Sequence, residues 1–265
     1  DKTVAAGFFA SVPFGLAPDE FAGWINFGGG QELWDELYGQ FGVKPFLVGN
    51  TGIQMGGWFR KEIKTPKDIK GSKLAVTGYA ATLWEKLGGK PVNLPIGEIF
   101  GNLQSGAIDG VEWIGPYNDL SLGLYKLTKN YYWPGVQEPG CGIECLVNRR
   151  KYDALPDDLK QIVAAACAAE SAISQAEYSG RNPGALATLM NEYKVQPKQY
   201  PKPVLAAFAG AAGKTMQEIF DKGDDGTRKI ASSYFKFRKQ AIAWTRISYD
   251  AFAGARDGKY DYPTG

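Results

Sequence analysis

The stretch LPIGEIFGNLQSGAIDGVEWIGPYND, Leu94 to Asp119, decides how the chain is read. Glu98 to Ser105 has helical character and stops at Gly106, a residue that enters the left-handed region without steric cost. Ile108 to Trp113 follows as a strand whose last two residues are a carboxylate and an indole, Glu112 and Trp113. Gly115-Pro116 then turns a corner. Helix followed at once by strand is the unit of an α/β fold with parallel strands, and such folds place ligands at strand ends.

The alternation extends upstream. Pro18 to Leu37 reads as helix, with Asp19 and Glu20 at its positive end and Gly28-Gly29-Gly30 breaking it in two. Lys44 to Val48 reads as a short strand closed by Gly49 and Asn50. Lys73 to Val76 (strand), Ala80 to Leu87 (helix) and Val92 to Leu94 (strand) continue the pattern. Downstream the character changes. Asp157 to Glu177 is a long alanine-rich helix opened by Pro156 and two aspartates, and Val204 to Phe220 and Ser232 to Phe252 are helical too. The expected shape is an α/β lobe with a helical C-terminal half wrapped on it.

Composition narrows the function. A net charge of +2, from 30 basic and 28 acidic side chains, and the lack of any basic run give no footprint for nucleic acid. No stretch is apolar for long enough to cross a membrane. The chain has no histidine, which removes Ser-His-Asp and Cys-His catalysis and histidine metal sites. Cys141, Cys145 and Cys167 lack the spacing of a zinc or redox site. They read as small core residues, with a Cys141–Cys145 disulfide as the alternative. The glycine clusters match neither GxGxxG nor GxxxxGK[ST] and read as turns and helix breaks.

The candidate binding residues each have a plain structural reading beside the functional one. Glu112 and Trp113 offer a charge and a flat apolar wall for a small polar ligand, or are a surface glutamate beside a core tryptophan. Gln54, in a glycine-rich stretch near two aromatics, has an amide suited to a hard cation or a carboxylate. Glu138 is held extended by Pro139. Tyr131-Tyr132-Trp133 reads as core.

Taken together, the segment from Leu94 to Asp119 with Val12-Pro13-Phe14-Gly15-Leu16, Gly28 to Trp34 and Tyr131 to Gly135 resembles one family along essentially the whole chain. This is the DctP-type solute-binding proteins of tripartite ATP-independent periplasmic (TRAP) transporters, nearest the branch that binds 2-oxo acids such as pyruvate with a metal ion. The resemblance implies an α/β, periplasmic-binding-protein-like fold of two lobes joined by a hinge, in the periplasm. Residues 1–20 would complete the first lobe and 21–112 form the second. Residues 113–150 would cross back to the first lobe, and 151–265 would pack helices on both. Gln54, Glu112, Trp113 (through its carbonyl) and Glu138 match the family's metal-and-ligand set. All-oxygen ligation points to sodium or calcium. The implied partners are a small organic carboxylate and the membrane permease subunits.

Two departures from the family stand out. Its usual strand K-[ML]-R-[IV]-x-G reads Lys73-Leu74-Ala75-Val76-Thr77-Gly78 here, with Ala75 in the arginine position. A two-pronged contact to the solute carboxylate is thereby lost, worth roughly 1.5–3 kcal/mol, or about ten- to a hundredfold in affinity. Related chains also begin with a further segment, so a partner chain, an oligomer or a missing stretch is expected. Ser232 to Phe252 packs on its own chain or, in a homodimer, on a partner. Two rival functions remain: a solute sensor for a receptor, and an enzyme using Glu112 and Glu138 as an acid–base pair.

Overall fold

The computed structural model describes residues 3–258. Its elements run α1 (Pro18–Phe27), α2 (Gly30–Gly39), β1 (Val43–Asn50), β2 (Gly57–Phe59), β3 (Lys73–Ala75), α3 (Gly78–Lys86), β4 (Lys90–Val92), α4 (Ile96–Ser105), β5 (Gly110–Val111) and α5 (Pro116–Leu122). They continue with β6 (Asn130–Trp133), β7 (Gly142–Asn148), α6 (Arg149–Asp153), α7 (Asp157–Asn191), β8 (Lys198–Gln199), α8 (Lys202–Lys222), α9 (Asp225–Ile247) and α10 (Tyr249–Arg256).

Local chemistry accounts for the helix ends. Pro18 opens α1, and Glu20 folds back to accept the Ala17 N–H at 2.8 Å. Gly29 takes φ +81° and separates α1 from α2, so the triple glycine is a turn and a close-packing point. Gly106, at the same φ, ends α4 where the sequence places its stop.

The strands form two sheets. β1 and β7 pair antiparallel, from Val43 opposite Asn148 to Asn50 opposite Gly142. The larger sheet has the order β4-β3-β5-β2-β6-β8. β3 is parallel to β4 and β5, and β6 to β8, whereas β2 is antiparallel to both its neighbours. The expectation of parallel strands is corrected in the β1–β7 pair and at β2. β2 enters straight from the other sheet, without the crossover helix that a parallel pairing needs.

Other boundaries shift. The strand expected at Val92 to Leu94 lies at Lys90–Val92. The ladder of β5 is shorter than Ile108 to Trp113, although Asp109 and Glu112 N–H groups still donate to Lys73 and Ala75 carbonyls. α7 runs on past Glu177 through Pro183, and its later turns bury Ala185 and Leu189. Ser232 to Phe252 is two helices divided at Ser248.

Three apolar cores hold these layers. The first joins Phe8, Phe9, Trp24, Trp34 and Leu47 to Tyr234 of α9, with Phe9 stacked between Trp24 and Trp34 at 5.3 and 5.1 Å. Residues 18–50 thus pack with the N-terminal residues and α9, beside the small sheet. The other two cores cover opposite faces of the large sheet. Adjacent β2 residues point to opposite faces, Phe59 into the core with Trp84, Tyr200 and Phe208, and Trp58 into the core with Ile99, Tyr131 and Leu189. Along the C-terminal helices, α9 buries Ile230, Ala231 and Tyr234 on its own chain, while Trp244, Ile247, Tyr249 and Phe252 are exposed.

Candidate ligand and cation site

Two segments pass between the sheets, residues 51–56 after β1 and residues 134–141 before β7. They lie side by side. Thr51 N donates to Cys141 O (3.0 Å), Gln54 N to Pro139 O (3.3 Å) and Gly135 N to Gln54 O (3.2 Å). Cys141 N in turn donates to Thr51 Oγ1 at 2.8 Å. This pairing sets Gln54 and Glu138 in neighbouring crossings. Glu112 and Trp113 arrive from the end of β5, with the Glu112 N–H held by Ala75 O at 3.1 Å.

All four residues singled out from sequence line one cavity of roughly 200 Å³, together with Thr51 and Cys141. Ala75, Val76, Val92, Leu94 and Ile99 supply much of the remaining wall. No lysine or arginine is among the described residues lining it. Lys73, on the same strand as Ala75, is exposed and outside the lining.

The polar end is built from oxygens. Gln54 donates its amide N–H to Thr51 Oγ1 at 2.8 Å. In that orientation its Oε1 stands 2.9 Å from Glu112 Oε1 and 3.3 Å from the Trp113 carbonyl oxygen. Turned over, the amide would donate to both of those oxygens and accept from Thr51. The first orientation suits a shared cation and the second suits the site without one. Oxygen separations near 3 Å are those of neighbouring ligands around sodium or calcium, which hold oxygens at about 2.3–2.6 Å. Among the described residues no group of three or more His, Cys, Asp or Glu side chains is arranged to hold a metal. This donor set is different, made of an amide, a main-chain carbonyl and carboxylates, and its oxygens fit a hard cation.

Electrostatics point the same way. Burial first, then the neighbouring Glu138 and Asp119 carboxyls, push Glu112 well above the carboxylate range. Burial pushes Glu138 up to about 7, against the effect of a hydrogen bond from Gln54. Burial, then Glu138 and Glu112, push the Cys141 thiol up to about 12, so it stays neutral and is a poor nucleophile. Carboxyls are gathered out of water with no lysine or arginine among the described lining residues, so ionising them is costly unless a cation joins them.

Two residues missed from sequence support the site. Thr51 links both crossings and sets the Gln54 amide; its only sequence signal is its place at the end of β1. Asp119 is fully buried and accepts from Trp58 Nε1 (2.9 Å), Tyr131 OH (2.8 Å) and Ile114 N (3.3 Å). It pins the backbone just after Trp113 to the stacked Trp58–Tyr131 pair, whose rings are 3.9 Å apart. Tyr131 and Tyr132 are core, as their sequence suggests, while Trp133 is exposed.

Comparison with known proteins identifies the family. A monocarboxylate 2-oxoacid-binding periplasmic protein of Nostoc sp. (strain PCC 7120) is 37% identical over 261 residues, 96% of this chain and 70% of that protein. A TRAP periplasmic solute-binding protein of Pseudoalteromonas atlantica, solved with sodium and pyruvate, superposes with a TM-score of 0.91 at 38% identity, covering 96% of this chain and 77% of that one. One from Colwellia psychrerythraea, solved with calcium and pyruvate, gives 0.93 at 38% identity over the same shares. The family model for bacterial extracellular solute-binding proteins, family 7, matches residues 2–223, and the chain belongs to that family, DctP.

Proposed function

We propose that this chain is the extracytoplasmic binding protein of a TRAP transporter, taking a small 2-oxo or hydroxy carboxylate together with sodium or calcium and presenting it to the permease. The observation that carries this reading is the convergence of the Gln54 side-chain amide, Glu112 Oε1 and the Trp113 carbonyl in a cavity whose described lining residues include no lysine or arginine. Gln54, Glu112, the Trp113 carbonyl and Glu138 would hold the cation. When bound, the cation supplies the positive charge that a solute carboxylate needs where Ala75 replaces the family's arginine. The apolar wall from Ala75 to Ile99 takes the solute's hydrocarbon end, and the Trp113 ring adds a flat surface beside it.

The site's position supports closure as the working motion. Gln54 and Glu138 come from the two crossing segments, Glu112 and Trp113 from the large sheet. A ligand touching both sets favours the state in which they are together. On this reading the lobes are the small sheet with α1, α2 and α9, and the large sheet with α3, α4 and α8, with residues 51–56 and 134–141 as the hinge.

The test is tryptophan fluorescence during titration with pyruvate, longer 2-oxo acids and lactate, in sodium- and calcium-free buffer and with each ion restored. Saturable change that needs both acid and cation is the expected result. Change with none of the acids would overturn the reading. The buried, raised carboxyls Glu112 and Glu138 are also what an acid–base pair looks like. Family members are transport binding proteins, and NMR of the recovered solute separates the readings: a binding protein returns it unchanged. A sensor would bind identically and be told apart by which membrane protein it engages.

A further inference from the structure

Cys145 and Cys167 are far apart in sequence but meet across the joint between the small sheet and α7. Cys145 lies in β7 opposite Phe46 of β1. Cys167 is buried at 8% exposure and lines a cleft with Phe46 and Leu47. The packing register agrees. A side-chain carbon built on Gly49 would touch both Ser174 of α7 and Ile143 of β7, so those two residues meet there. Ile143 and Cys145 are two apart on a strand and share a face, and Ser174 and Cys167 are seven apart on a helix and share another. Positions 143 and 145 therefore lie along positions 174 and 167. Burial first, then the neighbouring Cys145, push the Cys167 thiol up.

Cys141 is not a competitor for Cys145. Four residues of extended chain set their Cα atoms about 13 Å apart, beyond the roughly 7 Å that a disulfide spans. This corrects the sequence alternative of a Cys141–Cys145 bridge.

We propose that Cys145 and Cys167 form a disulfide that fastens α7 to the β1–β7 sheet in the protein's extracellular setting, where thiols meet oxidants. The Cys145 thiolate attacks a disulfide-bearing oxidant and releases one thiolate from it. The Cys167 sulfur, giving up its proton, then attacks the mixed disulfide and expels the second. Two protons and two electrons pass from the cysteines to the oxidant, which leaves as two thiols. α7 also reaches the ligand site: Asn182 accepts the Tyr117 N–H at 3.0 Å and lies beside Gly52 and Gly115. A bond at residue 167 thus fixes one end of a helix whose other end abuts the hinge and the strand end after Trp113.

The experiment is thiol counting and peptide mapping by mass spectrometry, on protein recovered from the periplasm and on folded purified protein treated with oxidised glutathione. One free thiol, Cys141, and a linked pair of peptides carrying Cys145 and Cys167 are expected. Cys145→Ser and Cys167→Ser should each abolish the link, and Cys141→Ser should leave it. Reduction should lower Tm by on the order of 5 °C in the wild type and leave both serine variants unchanged. Three free thiols in the recovered protein that persist after glutathione, with the circular dichroism of the folded state, would overturn the proposal. So would a link that includes Cys141.

Discussion

The Gln54 side-chain amide stands between two partners, one end 2.9 Å from Glu112 Oε1 and the other 2.8 Å from Thr51 Oγ1. Without a cation the N–H end of the amide satisfies Glu112 and the Trp113 carbonyl, and with one the oxygen end faces them. The amide is therefore a reporter of the cation. Its two orientations differ in which end faces Glu112.

Glu112→Gln should separate binding from stability. The isosteric amide removes a carboxyl that folding must hold protonated beside Glu138 and Asp119, so the ligand-free protein should gain thermal stability at neutral pH. Affinity for pyruvate with calcium should fall by about a hundredfold, the value of a charge-assisted contact. Calorimetric titration and a melting curve on the same sample check both signs. Unchanged affinity would remove Glu112 from the site.

Thr51→Val keeps the shape of the side chain and removes the hydroxyl that accepts from Cys141 N and engages Gln54. It should cost about 1–2 kcal/mol of stability and weaken cation binding, with Thr51→Ser restoring both. Equal affinity in the valine and serine variants would show that the hydroxyl only tethers the crossing segments.

Asp119→Asn tests the support beneath the strand end. The asparagine oxygen can still accept from Trp58 and Tyr131, but its amide then meets the Ile114 N–H, at a cost of about 1–3 kcal/mol. Burial pushes Asp119 up to about 6 from 3.8, despite the hydrogen bonds that oppose it. The folded state therefore holds this proton more tightly than the unfolded one. Its contribution to stability is greatest below pH 4 and is lost as pH rises through 6. Urea unfolding should show a larger cost of the substitution at pH 4.5 than at pH 7; a cost that grows with pH would contradict the assignment.

Ala75→Leu should narrow the cavity at the position where the family carries arginine. Ala75 is 4% exposed and lines the wall, so the added bulk must occupy ligand space. Longer 2-oxo acids should lose about tenfold or more in affinity, corresponding to 1–3 kcal/mol of overpacking, while pyruvate loses little. Competition titrations of the two acids give the ratio directly.

Much of this protein was legible from its residues. Pro18 with Asp19 and Glu20, the glycines at 29 and 106, and the helix–strand run from Leu94 to Asp119 state their structure locally, because helix ends and left-handed turns depend on a few neighbouring residues. The family resemblance selected Gln54, Glu112, Trp113 and Glu138, but sequence left each beside a plain structural reading. Long-range pairing made the remaining decisions. β2 runs antiparallel because of where it enters the sheet, a matter of path and not of propensity. Residues 54, 112 and 138 share a cavity only because two crossing segments bond to each other and β5 ends beside them. Thr51, Asp119 and the proposed Cys145–Cys167 pairing left no usable mark in the sequence, since a buried hydroxyl, carboxylate or thiol takes its role from the partner opposite it. The sequence by itself determined the elements and the donor types; the tertiary structure decided which donors meet, because contact between distant residues is set by sheet register and helix packing, not by local preference.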